Sequence, residues 1–118
     1  MNLSLYLESD KGRIGVVRNP YERLVSAYYQ SLDYIGFDKW IEEQQIPTQY
    51  SLYKDYPHLI RFEDWKRELK DLEVGVVDTS LLEGQYAIPM WDRWYTIKTI
   101  TLVTELYKDD ITTYGYRI

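Results

Sequence analysis

Apolar positions along the chain switch between two periods. Residues 14–17, Ile-Gly-Val-Val, form a brief and mostly β-branched run, the pattern of a strand buried on both faces. Tyr21, Leu24, Val25, Tyr28 and Leu32 follow at helical spacing and predict a helix with one buried stripe. Asn19 suits its N-cap, Pro20 its first position and Glu22 the acid of a capping box. Phe37, Trp40 and Ile41 predict a short amphipathic helix that Pro47 terminates. His58 to Phe62 reads as a second buried strand. Glu63 and Asp64 then place acids at the positive end of a helix whose apolar face is Trp65, Leu69 and Leu72. Ile97, Ile100, Val103, Leu106, Tyr107 and Ile111 predict one last helix from about residue 97 to 114, with Gly115 as its stop. Between these elements the pattern is weaker. Leu3, Leu5 and Leu7 alternate with polar residues ahead of Gly12, as in a strand. Val74 to Val77 suits a third strand, Thr79 to Gly84 a short helix or turn, and Pro89 to Tyr95 an aromatic loop carrying Arg93.

The first strand-to-helix junction also holds the candidate chemistry. Arg18 leaves the strand end at the helix entrance. Ser26 lies about two turns past Asn19, on the same side of the helix and roughly 10 Å along its axis. A guanidinium, a hydroxyl and a helix N-terminus can converge there on one anion. Phosphate fits best, because it accepts the arginine fork and responds to the helix dipole. The same spacing also fits an ordinary junction with a surface arginine and a serine bonded to backbone, and spacing alone leaves both open.

Residues 17–28 read Val-Arg-Asn-Pro-Tyr-Glu-Arg-Leu-Val-Ser-Ala-Tyr. This segment resembles the 3′-phosphate-binding motif of sulfotransferases that use 3′-phosphoadenosine-5′-phosphosulfate. It is most similar to the carbohydrate sulfotransferase branch, where Val-Arg-(Asp/Asn)-Pro-x-x-Arg-x-x-Ser-x-(Tyr) recurs. The resemblance implies that Arg18 and Ser26 hold the donor's 3′-phosphate, with Arg23 as the motif's second arginine at the cofactor site. Later segments are similar in the same order. Ile46-Pro47-Thr48-Gln49-Tyr50 resembles a Pro-x-Gln segment. Ile60 to Trp65 resembles a step in which an acid directly follows a strand. Residues 102–116 resemble a closing helix that reads Tyr-x-x-Asp-(Ile/Phe)-x-x-(Phe/Tyr)-Gly-Tyr.

What the resemblance implies is an α/β fold with a small, mostly parallel sheet flanked by helices, a truncated relative of the P-loop-like sulfotransferase fold, as a single domain over residues 1–118. It implies the tail of a helix, rather than a strand, for residues 1–12. The expected cofactor is 3′-phosphoadenosine-5′-phosphosulfate as donor, or 3′,5′-adenosine bisphosphate. The expected reaction is sulfonate transfer to a hydroxyl of a carbohydrate acceptor. The alternative is a non-catalytic remnant that holds the nucleotide or a protein partner. Sulfotransferases open with a lysine-containing loop that cradles the 5′-phosphosulfate, and no such loop stands ahead of Arg18. The chain is therefore expected to match the C-terminal part of the fold, with a partner chain or a homo-oligomer supplying the remainder. No catalytic residue is assigned. His58 reads as a structural residue at a strand edge, and Glu63 as the holder of a loop or cap.

Composition narrows the partners further. The chain has 118 residues, 45% apolar and 28% charged, the balance of a soluble globular domain. Its net charge of −5 disfavours nonspecific binding to nucleic acid or an anionic membrane. No cysteine is present, which removes disulfides and thiol nucleophiles, and one histidine is too few for a histidine-based metal site. No apolar run nears the roughly 18 residues that span a bilayer, and no signal peptide is visible, so a cytoplasmic setting is expected. Thirteen Tyr, four Trp and two Phe suit either an aromatic-lined pocket or a small core filled with large rings.

Overall fold

In the computed structural model, which describes residues 4–32, 34–85 and 88–117, the β-branched run lies in the central strand β2 (Gly12–Val17). Ile14, Val16 and Val17 are all buried. Strand β1 (Tyr6–Ser9) pairs with β2 antiparallel, and β3 (His58–Arg61) pairs with its other edge in parallel. Within the alternating stretch, residues 6–9 are therefore a strand and not a helix tail, with Leu7 facing the core; Leu3 lies outside the described residues. Gly12, at φ +103°, closes the hairpin, and Ser9 Oγ donates to its carbonyl at 2.6 Å.

The sheet is mixed, in the order β1-β2-β3, which corrects the expectation of a mostly parallel one. The reason lies in the connections. A hairpin turn suffices between β1 and β2, whereas only the β2-to-β3 link carries the helices that a parallel crossover needs. Those helices are α1 (Pro20–Ser31), α2 (Phe37–Gln44) and α3 (Gln49–Tyr53). After β3, a 3₁₀ turn over Phe62–Asp64 leads into α4 (Trp65–Asp71). Val74 to Val77 is not a third strand. Side chains from the hairpin pin this strap: Gly75 N donates to Asp10 at 3.1 Å, and Lys11 Nζ to Glu73 O at 3.1 Å. Val76 is fully exposed. Then come α5 (Ser80–Glu83), a 3₁₀ turn over Trp91–Trp94, α6 (Ile97–Leu106) and α7 (Lys108–Tyr114).

The expected single last helix is thus two, broken at Tyr107. Its ring is buried and its hydroxyl donates to Ile46 O at 2.8 Å. Ile97 and Leu106, expected to face inward, are exposed, as is Leu32, which sits past the end of α1 in the left-handed region at φ 57°. Gly115 closes α7 at φ 72°.

Two apolar clusters hold these elements. One gathers Leu7, Ile14, Val16, Ile60 and Leu82, with Trp65 and Leu69 of α4 and Leu72 just past its end against them. The other joins Tyr21 and Leu24 of α1 to Trp40 and Ile41 of α2 and to Val103 and Tyr107. Tyr53 lies on the strand at Gly15, where an added Cβ would stand 2.7 Å from its ring. From there its hydroxyl accepts from Leu5 N at 2.6 Å and donates to Leu5 O at 2.8 Å. No described helix is long and apolar enough to cross a membrane.

Gly15→Ala is expected to destabilise the protein by about 1–3 kcal/mol in urea titration through that overlap; an unchanged midpoint would mean that Tyr53 does not rest on the strand. Burial pushes the Tyr107 hydroxyl up to about 12, against about 10 in the unfolded chain. The folded state holds this proton more tightly, so stability is intact below about pH 10 and declines as pH rises toward about 12. Urea midpoints through that window should fall less steeply for Tyr107→Phe than for wild type.

Candidate functional site

The site begins where β2 ends. Asn19 caps α1 as its sequence suggests, its side chain accepting from Tyr21 N at 3.0 Å, and Pro20 takes the first helical position. Glu22 does not complete a capping box. The Asn19 N–H donates instead to Glu63 Oε2 at 3.0 Å, and Glu63 Oε1 accepts from Tyr116 OH at 2.5 Å. An acid from the turn after β3 therefore closes the helix entrance, and Glu22 is released for another task.

That task is Arg18. The Glu22 carboxylate accepts from Arg18 Nε at 3.0 Å and from Nη2, and the pair is almost wholly buried. The guanidinium lies over the Phe62 ring, 4.4 Å from its centre. Five N–H donors in a planar fork allow an arginine to meet a carboxylate and a second anion together. The Arg18 main chain is held as firmly. Its N–H donates to Gln49 Oε1 at 2.8 Å, and its carbonyl accepts from Gln49 Nε2 at 2.7 Å.

Arg23 and Ser26 continue down α1, both buried. Arg23 Nη1 donates to Pro47 O at 3.0 Å. Burial pulls the Arg23 pKa below its ordinary value, and the Asp110 charge opposes that shift. Ser26 Oγ accepts from Gln30 Nε2 at 3.4 Å. Arg18, Arg23 and Ser26 all line one pocket of about 120 Å³, together with Gln30 and Gln49. The three residues singled out in the sequence are therefore brought together. Ligand pockets for whole organic molecules start at about 300 Å³, so this volume suits one tetrahedral anion and not a whole nucleotide. A wider hollow of about 370 Å³ opens at the helix entrance, but Glu22 and Glu63 line it and would repel an anion.

Glu22, Gln49 and Asp110 are site residues that the sequence did not single out. The i, i+4 spacing of Arg18 and Glu22 is the local signal for their ion pair. Gln49 and Asp110 stood within recognised segments without a role. Asp110 is fully buried and accepts from Gln49 N at 2.9 Å and from Tyr50 N at 2.8 Å. His58 and Arg93 do not line the pocket. Among the described residues no group of His, Asp and Glu could hold a metal ion.

A family model described as the sulfotransferase family matches residues 5–97. The span includes Arg18, Arg23, Ser26 and Gln49 and stops before the Tyr107–Tyr116 segment. No curated protein and no solved structure matches the chain.

Removing one partner of a buried ion pair strands the other. Glu22→Ala is expected to lower stability by about 3–5 kcal/mol in urea titration; a loss below about 1 kcal/mol, the range of exposed pairs, would show that water reaches Arg18.

Proposed function

The chain belongs to the sulfotransferase family, and from that premise we propose that its pocket at the β2–α1 junction binds the 3′-phosphate of 3′-phosphoadenosine-5′-phosphosulfate or of 3′,5′-adenosine bisphosphate. Arg18 and Arg23 supply the positive charge, and Ser26 supplies a hydroxyl. One observation carries the reading: Arg18, Arg23 and Ser26, spread over two helical turns, line the same small pocket. Its volume suits one phosphate group. The adenosine and the 5′ end of such a nucleotide would lie outside it.

The reaction follows the carbohydrate branch of the family. An S–O bond to the donor's 5′-phosphate breaks, a new S–O bond forms to a sugar hydroxyl, and the hydroxyl proton leaves to a base. Holding the 3′-phosphate fixes a part of the donor remote from the reacting sulfur, so that binding energy is spent on orientation. A second reading, in which the nucleotide is held without turnover, needs only the same phosphate pocket.

Calorimetric titration with 3′,5′-adenosine bisphosphate tests the binding common to both. Wild type is expected to bind, and Arg18→Ala to lose roughly 2–5 kcal/mol of affinity. Ser26→Ala should lose about 1 kcal/mol, the net worth of a typical hydrogen bond. Equal affinity in a folded Arg18→Ala variant would place the phosphate elsewhere. Assay with the sulfated donor and a sugar acceptor then separates transfer from simple retention.

A further inference from the structure

Gln49 and Asp110 take no part in the proposed phosphate contacts through charge, yet both are buried where the site is built. The β2–β3 pairing ends at Val17, opposite Arg61. Arg18 thus leaves the ladder with an N–H and a carbonyl to be met inside the protein. The Gln49 carboxamide meets both, accepting at 2.8 Å and donating at 2.7 Å. It does for one residue what a further strand would do.

Asp110 acts one step behind. It reaches from α7 to the start of α3 and accepts from Gln49 N, Tyr50 N and, at 3.5 Å, Gln49 Nε2. Capping α3 does not require it, because Thr48 already accepts from Ser51 N at 3.1 Å. A fully buried carboxylate is costly unless it is hydrogen-bonded and near an opposite charge. Here it braces the Gln49 main chain and side chain together, and its charge favours the buried Arg23 cation.

We infer that Gln49 and Asp110 are positioning residues of the phosphate site. Gln49 fixes the main chain from which the Arg18 guanidinium is aimed, and Asp110 fixes Gln49 from the last helix. This rests on the phosphate-binding function proposed above. It adds that the site is incomplete without α3 and α7.

The test uses the full chain, with 3′,5′-adenosine bisphosphate as the probe in calorimetry and urea midpoints measured in parallel. Gln49→Met leaves the Arg18 amide and carbonyl unmet, and Asp110→Asn removes a charged acceptor from Gln49 and Tyr50; each should weaken binding by about tenfold or more. Tyr107→Phe removes another buried hydroxyl bond in the same region. It should lower stability while leaving affinity within about twofold. Gln49→Glu adds a signature that simple destabilisation lacks. At neutral pH its carboxylate accepts from Arg18 N but has no proton for Arg18 O, and it faces Asp110. Between about pH 8 and about pH 5 it regains a proton, and its affinity relative to wild type at each pH should recover. That series decides the matter even where Gln49→Met fails to fold. Wild-type binding with undiminished binding in folded Gln49 variants, or a pH-independent ratio for Gln49→Glu, would overturn the positioning roles alone. Absence of binding in wild type would remove the phosphate site itself, and the positioning roles with it.

Discussion

A strand that stops inside a protein leaves an amide and a carbonyl that must be satisfied, and the site depends on Gln49 satisfying both at Arg18. Three chain segments distant in sequence meet through this contact. β2 delivers Arg18, the start of α3 delivers the carboxamide, and α7 delivers the Asp110 carboxylate that holds α3 in place. The backbone from which the guanidinium extends is thereby fixed, and the Glu22 carboxylate and the Phe62 ring hold the guanidinium itself.

Charge imposes the second constraint. Arg18, Arg23, Glu22 and Asp110 are all buried, and isolated ions in such a place would be prohibitively costly. Glu22 answers Arg18 through a direct fork, and Asp110 favours Arg23 through its field. The result is a cluster balanced in sign that keeps two guanidinium groups charged beneath the surface. Aromatic packing completes the frame. Tyr21, Trp91 and Tyr95 pack ring to ring beside α1, and the Tyr95 hydroxyl donates to Tyr21 O at 2.6 Å. Much of the tyrosine content fills the core and closes backbone bonds.

The local parts of this arrangement were legible in the sequence. The β-branched run, the Asn19 cap, Pro20 and the spacing of Arg18, Arg23 and Ser26 depend on neighbours along the chain, and Arg18, Arg23 and Ser26 line one pocket. What the sequence did not reveal depends on partners far along the chain. Glu22 looked like a capping-box acid because its competitor, Glu63, comes from another element. Val74 to Val77 carried strand residues, but side chains of the hairpin hold that strap and no ladder does. At the break the Tyr107 hydroxyl bonds Ile46 O, a partner far along the chain that helical periodicity cannot register. The hairpin made the sheet mixed, since a short turn permits only antiparallel pairing.

A crystal structure of the protein with 3′,5′-adenosine bisphosphate would examine the central claim most directly. The 3′-phosphate is expected in the pocket between Arg18, Arg23 and Ser26, within hydrogen-bond reach of Arg18 and Ser26, with Gln49 still bonded to the Arg18 main chain. A nucleotide bound with its 3′-phosphate against any other surface would contradict it.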